Sequence, residues 1–195
     1  MGKNSTKLSK CMYVLFILFF TVIQINAQED NFVAEWRLDE TSGTVAKDEI
    51  GGSDGTVNNL SYEARVPGFV DNCIDFSTSD SGYIQVEDNS TIDLDSTTSF
   101  TICALVKIAD ISGDHIIVFK GHTNDDISGH WYALKFKDNQ LRIAIDDAVT
   151  KTQLEFENAN QSMNMDDWNF VAGVRDIAQD SLFLLSEWRK GSFNA

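Results

Sequence analysis

Between Trp36 and Val57 the chain reads "WRLDETSGTVAKDEIGGSDGTV", placing Asp39, Glu40, Asp48, Glu49 and Asp54 among Gly43, Gly51, Gly52 and Gly55. Like charges this close repel, so they must be held apart, solvated or neutralised. One chemistry that does this is calcium coordination, which takes about six to eight oxygens from carboxylates, backbone carbonyls and water. Asp48 and Asp54 offer side-chain oxygens, and a glycine such as Gly52 lets a carbonyl turn inward, so Asp48, Gly52 and Asp54 form the candidate metal set, with Asp48 foremost. The spacing is not that of an EF-hand, because it lacks the alternating acids and the closing glutamate. The alternative is that these residues are solvated turn formers, which Asp and Gly commonly are. Asp80, Glu87 and Asp88 around "GYIQV" make a second, weaker acidic group.

A second chemistry is stacking on a sugar ring. "GHWY" at 129–132 follows the polar loop "GHTNDDISG", and His130, Trp131 and Tyr132 are the candidate ligand-binding residues. The competing reading is that Trp131 or Tyr132 starts a strand and packs in the core, the usual fate of large aromatics. Trp36 and Trp168 are expected in the core. His122 and His130 bracket one loop, but their separation without cysteine support is a poor metal pattern. Cys73 and Cys103 lie on the faces of their runs opposite the phenylalanines, in phase with Asp75 and Leu105 respectively. They form one disulfide if those strands are neighbours, and two buried thiols if not. Catalysis is not expected. Glycoside hydrolysis needs two carboxylates set across the scissile bond. Glu155 and Glu157 share a face in "TQLEFENAN" with no third acid in phase, and neither G-x-S-x-G nor H-E-x-x-H occurs.

The elements that must position these residues are strands. The apolar signal has period two and comes in short runs divided by Gly, Asn, Asp and Ser. "FVAEWRL" alternates Phe32, Ala34, Trp36 and Leu38, and "FTICALVKI" alternates Phe100, Ile102, Ala104 and Val106. "HIIVFK" is nearly continuous, as in a strand covered on both faces. "WYALKFKDNQLRIAI" is a hairpin pattern with its turn at Asp138-Asn139-Gln140. "TQLEFE", "WNFVAGVR" and "SLFLL" are further strands. Many short strands without a convincing helix imply an all-β fold, a two-sheet antiparallel jelly-roll sandwich.

Residues 1–27 carry Lys3, Lys7 and Lys10, then an uncharged apolar run of about 15 residues, shorter than a membrane span. Ala27 follows, suiting cleavage before Gln28. This is the layout of a secretory signal peptide, which leaves 28–195 as one domain and places it outside the cell or at its surface. The three lysines leave with the leader, so 12 basic residues face 30 acidic ones, a net charge of −18. Such a surface repels nucleic acid and anionic membrane and favours cations and uncharged ligands. Asn59, Asn89 and Asn160 head N-glycosylation patterns. Oligomeric state is not legible.

Taken in order, "WRLDETSGTVAKDEIGGSDGTV", "PGFVDNCIDFS", "GYIQVEDNSTIDL", "SFTICALVKI", "IIVFKG", "WYALKFKDNQLRIAI" and "WNFVAGVRD" resemble the laminin-G-like jelly-roll modules of the concanavalin A-like lectin/glucanase superfamily. The resemblance spans about residues 31–185. It implies two antiparallel sheets, a glycan- or protein-binding role, attachment to secreted enzymes or adhesins in many members, and frequent calcium binding. Related glucanases carry E-x-D-x-x-E on one strand, and no such run occurs here. Leu105 stands where many members have tryptophan. After "SLFL" the family pattern continues through a turn into another strand, whereas this chain reads "LSEWRKGSFNA". C-terminal strands are therefore expected to be missing, through truncation or a local frame error, unless the module is complete as it stands. The expected function is a secreted, non-catalytic binding module for glycan or an extracellular protein. The alternative is a fragment or accessory module of a larger secreted polysaccharide-degrading enzyme or adhesin.

Overall fold

The computed structural model describes residues 32–94, 97–121, 130–147, 151–155 and 163–189, with side chains omitted at 130, 147, 151–155 and 187–189. The proposed leader lies outside them. Twelve strands are described: β1 (Val45–Ala46), β2 (Gly55–Asn58), β3 (Arg65–Pro67), β4 (Asn72–Ile74), β5 (Tyr83–Val86), β6 (Phe100–Lys107), β7 (Asp114–Lys120), β8 (His130–Lys137), β9 (Gln140–Asp147), β10 (Lys151–Glu155), β11 (Trp168–Asp176) and β12 (Ser181–Arg189). All pairings are antiparallel, in the orders β10-β9-β8-β7, β12-β11-β6, β1-β2-β5 and β3-β4. The helical turns described are three short 3-10 segments. This is the antiparallel β-sandwich expected from the period-two pattern.

The two larger sheets enclose the core. In β6 the alternation is complete: Phe100, Ile102, Ala104 and Val106 turn inward while Thr101, Cys103, Leu105 and Lys107 are exposed. From the facing sheet come Tyr132, Leu134 and Phe136 of β8 and Leu141, Ile143 and Ile145 of β9, all buried. Gly173 of β11 packs tightly on β9, because a Cβ there would lie 2.6 Å from Ile143 Cδ1. A side chain at 173 would push the sheets apart.

The β8–β9 hairpin forms where its sequence predicts, but its turn is one residue shorter than the expected Asp138-Asn139-Gln140, because Gln140 already belongs to β9. Lys137 already pairs with Gln140, so the loop is only Asp138 and Asn139, with φ of 51° and 67°. Two successive left-handed residues make a type I′ connection, whose twist matches that of the strands, and Asp and Asn tolerate the conformation.

Four expectations are corrected. The run "HIIVFK" is not covered on both faces. Between Ile116 and Val118 the register of β7 shifts by a bulge, so Ile117 and Val118 both pack toward the core while Ile116 and Phe119 turn outward, 60% and 37% exposed. The extra residue of a bulge breaks alternation and mimics a two-sided run. "FVAEWRL" does not form a continuous strand: Trp36 makes an isolated bridge to Asp48, and Leu38 has a φ of 60°. A left-handed leucine ends extended pairing. Trp36 and Trp168 are half-buried, not core; Trp36 donates from Nε1 to the Ser53 carbonyl at 2.9 Å, and Trp168 meets Phe69 edge-on at 6.3 Å.

The fourth concerns Cys73 and Cys103, which are not bridged but free. Cys73 is on β4, whose partner is β3, and Cys103 is on β6, whose partner is β11. The strands are not the neighbours a cross-strand bridge needs. Nor are they the two buried thiols of the alternative, since Cys73 is half-buried and Cys103 exposed; partial desolvation still pushes both thiols up, with Asp75 adding to the effect at Cys73, so neither favours the reactive thiolate.

Candidate functional site

The acidic loop is held by one buried carboxylate. Asp48 is 4% exposed. Its Oδ1 accepts the N–H of Glu35 at 2.9 Å and of Ile50 at 3.0 Å, and its Oδ2 accepts the N–H of Ser53 at 2.9 Å. Asp54 Oδ1 accepts the N–H of Asp48 itself at 2.9 Å. Gly51 is required here, since a Cβ would lie 2.3 Å from the Val33 carbonyl oxygen and 2.8 Å from Asp48 Oδ2. Gly52 supplies a left-handed turn with φ of 74°. Burial opposes ionisation of Asp48, but the N–H groups of Glu35, Ser53, Ile50 and Gly51 outweigh it and hold its carboxyl below the ordinary value.

This loop does not fit a calcium cage. The oxygens of Asp48 are turned onto backbone N–H groups, and Asp54 is partly engaged in the same way. Among the described residues no group of three or more His, Cys, Asp or Glu side chains is placed to hold an ion. The repulsion is relieved by amide dipoles and by Arg65, whose nearly buried guanidinium donates to Glu40 Oε2 and the Glu40 carbonyl, both at 2.9 Å. Of the second acidic group, Asp88 pairs with Lys120, which also binds Asp93.

The aromatic candidates separate by strand parity. Tyr132 is corrected from ligand-binding to core. It is 6% exposed, its ring lies 5.9 Å from that of Phe100, and its hydroxyl donates to the Ile92 carbonyl at 3.0 Å. Trp131 points to the opposite, outward face of the sheet and is half-buried. Its indole Nε1 donates to Asp146 Oδ2 at 3.0 Å, and its ring lies 6.1 Å from Phe119 with 31° between the planes. His130 opens β8, and its side chain lies outside the described residues, as does His122.

Register defines the rest of this face. Trp131 stands opposite Asp146; Phe119, Ala133 and Ala144 form the next row; Ile116, Lys135 and Arg142 form the row after that. Phe119 and Asp146 were not among the sequence candidates. The signal for them was parity: in "WYALKF" the lysine marks the outward set, and Trp131 belongs to it. Their pairing required the bulge in β7, which the sequence does not display.

Residues 77–184 match a laminin-G family model described as the concanavalin A-like lectin/glucanases superfamily. The match contains both core sheets up to Leu184 and the whole Phe119–Trp131 face, and it leaves out the Asp48 loop. No curated protein and no solved structure matches the chain.

Proposed function

This chain belongs to the concanavalin A-like lectin/glucanase superfamily, and from that membership we propose a secreted, non-catalytic module that binds glycan on the outward face of β7, β8 and β9. Laminin-G-like domains commonly bind glycans or extracellular proteins, which supports the class of partner. The observation that carries the reading is the placement of Trp131. Its ring is tilted 31° to that of Phe119 with centroids 6.1 Å apart, and its indole N–H is held by Asp146. A fixed aromatic surface takes the apolar C–H face of a sugar at little cost in side-chain ordering. The adjacent carboxylate, ammonium and guanidinium groups offer hydrogen bonds to ring hydroxyls. The non-catalytic part rests on the lack of an E-x-D-x-x-E run in the sequence, and the secreted part on the N-terminal leader pattern.

The test is a panel of polysaccharides scored by melting temperature and by release of reducing ends. The wild type is expected to be stabilised by at least one glycan without cleaving it, and Trp131→Ala to lose the stabilisation. Equal responses from the two proteins would remove this face as the site. Release of reducing ends would make the protein an enzyme.

A further inference from the structure

We propose that the outer face of β6, β11 and β12 is a self-association surface, on which a second copy of this chain packs about a two-fold axis lying across the strands at the row of Ala172. Register builds the face. Leu105 stands beside Phe170, Cys103 beside Ala172 and Leu185, and Thr101 beside Val174 and Phe183. Cross-strand partners share a side of the sheet, and this side is opposite to that of Val171 and Gly173, which pack inward. Leu105, Phe183 and Leu185 are 45%, 45% and 44% exposed, and Cys103 is exposed as well. Across these three rows the one charged position is Glu187, beside Phe170, and its side chain lies outside the described residues. A contiguous apolar patch of this kind is the mark of a protein contact.

Charge selects a second copy as the partner. Beyond Phe170 the face ends at Lys107, Trp168 and the Arg189 position, and beyond Val174 it ends at Asp176 beside Ser181. Asp176 accepts from the uncharged Gln179, at 3.3 Å from N and 2.6 Å from Nε2. Phe69 meets Trp168 edge-on, and Asp75 and Lys107 both act on Cys73, so the β3–β4 hairpin borders the Lys107 end and leaves the three apolar rows open. Trp168 and Asp176 are each four residues from Ala172. The two-fold axis therefore exchanges the ends, setting Lys107 of one copy toward Asp176 of the other while uncharged rows meet in the middle. Size agrees. Three strands about 4.8 Å apart and nine residues rising about 3.4 Å each make a face of roughly 14 by 30 Å, the scale of a weak, concentration-dependent dimer. Packed sheets stand about 10 Å apart, so Cys103 comes opposite Cys103 of the second copy, too far for a disulfide but within reach of a short bifunctional reagent. The Trp131 face lies on the other side of the sandwich and stays open, so this inference is independent of the glycan reading.

Sedimentation of the secreted chain tests it, from about 1 μM to 1 mM, the range a weak interface requires, and at about 150 mM salt, where repulsion between two acidic chains is screened. The mean mass should rise with concentration toward that of two chains. Leu105→Asp and Leu185→Asp, at exposed positions, should each keep the wild-type melting temperature and stay at the mass of one chain, whereas Trp131→Ala should associate as the wild type does. A bis-maleimide spanning about 10 Å should join the wild type and Cys73→Ser into dimers and leave Cys103→Ser as single chains. The mass of one chain at every concentration would overturn the proposal. So would a dimer that persists in both aspartate variants or is joined through Cys73.

Discussion

Asp48 shows how far residue types and spacing lead. Acids and glycines at this density fit either a metal loop or a hydrogen-bonded turn, and the deciding quantity is the direction the carboxylate faces. In the folded chain it faces three backbone N–H groups. Asp48→Asn keeps the shape but loses the charge that draws those donors in, and should cost about 2 kcal/mol, lowering the melting temperature by roughly 5 °C. A pH dependence accompanies it. Glu40 and Asp48 both ionise below their ordinary values of 4.5 and 3.8, in each case because hydrogen bonds, and for Glu40 also Arg65, outweigh the burial that opposes ionisation. A carboxyl lowered in the folded state contributes stability that is complete above its unfolded value and is lost as the pH falls through the folded one. Denaturant titrations should therefore show constant stability from neutrality to about pH 5 and a decline below it, and Asp48→Asn should flatten that decline. A decline of equal slope in the variant would deny Asp48 this role. Tyr132 and Trp131 teach the complementary lesson. Adjacent in sequence, they point to opposite faces because a strand alternates, and the polar Lys135 two and four places along from its neighbours identifies the outward set.

At the scale of the element, what was legible was local. The alternation of β6 and the hairpin of β8 and β9 follow from side-chain period and turn chemistry, both confined to a few residues. The bulge in β7 was not legible, since one inserted residue turns an alternating strand into what looks like a continuous apolar run. The cysteine pairing was not legible either, because it depends on which strands become neighbours. Two substitutions test the geometry. Asn139→Gly relieves a left-handed non-glycine residue and should stabilise the hairpin by about 0.5 kcal/mol, measured by denaturant midpoint. Gly173→Ala should destabilise by about 2 kcal/mol, because its methyl group enters the space of Ile143. A neutral Gly173→Ala would mean that the sheets stand further apart at this point.

At the scale of the molecule, the strand count led to the sandwich, and the excess of acids set a charge that the fold must accommodate. Neither revealed how the acids are accommodated. Around the Asp48 loop the compensation is internal, through amide dipoles, Arg65 and Lys47, the last bonded to Glu49 at 3.1 Å. If this internal compensation suffices, EDTA should leave the melting temperature unchanged in calcium-free and calcium-loaded buffer alike; a fall on chelation would restore a metal to this loop. The central claim concerns where a glycan sits, and amide and indole chemical-shift mapping tests it most directly. Titration with the oligosaccharide that binds best should move the Trp131 indole N–H and the amides of Phe119, Ala133, Ala144 and Asp146. Shifts confined to residues 45–57, or to Leu105, Phe183 and Leu185 on the outer face of β6 and β12, with Trp131 unmoved, would contradict it.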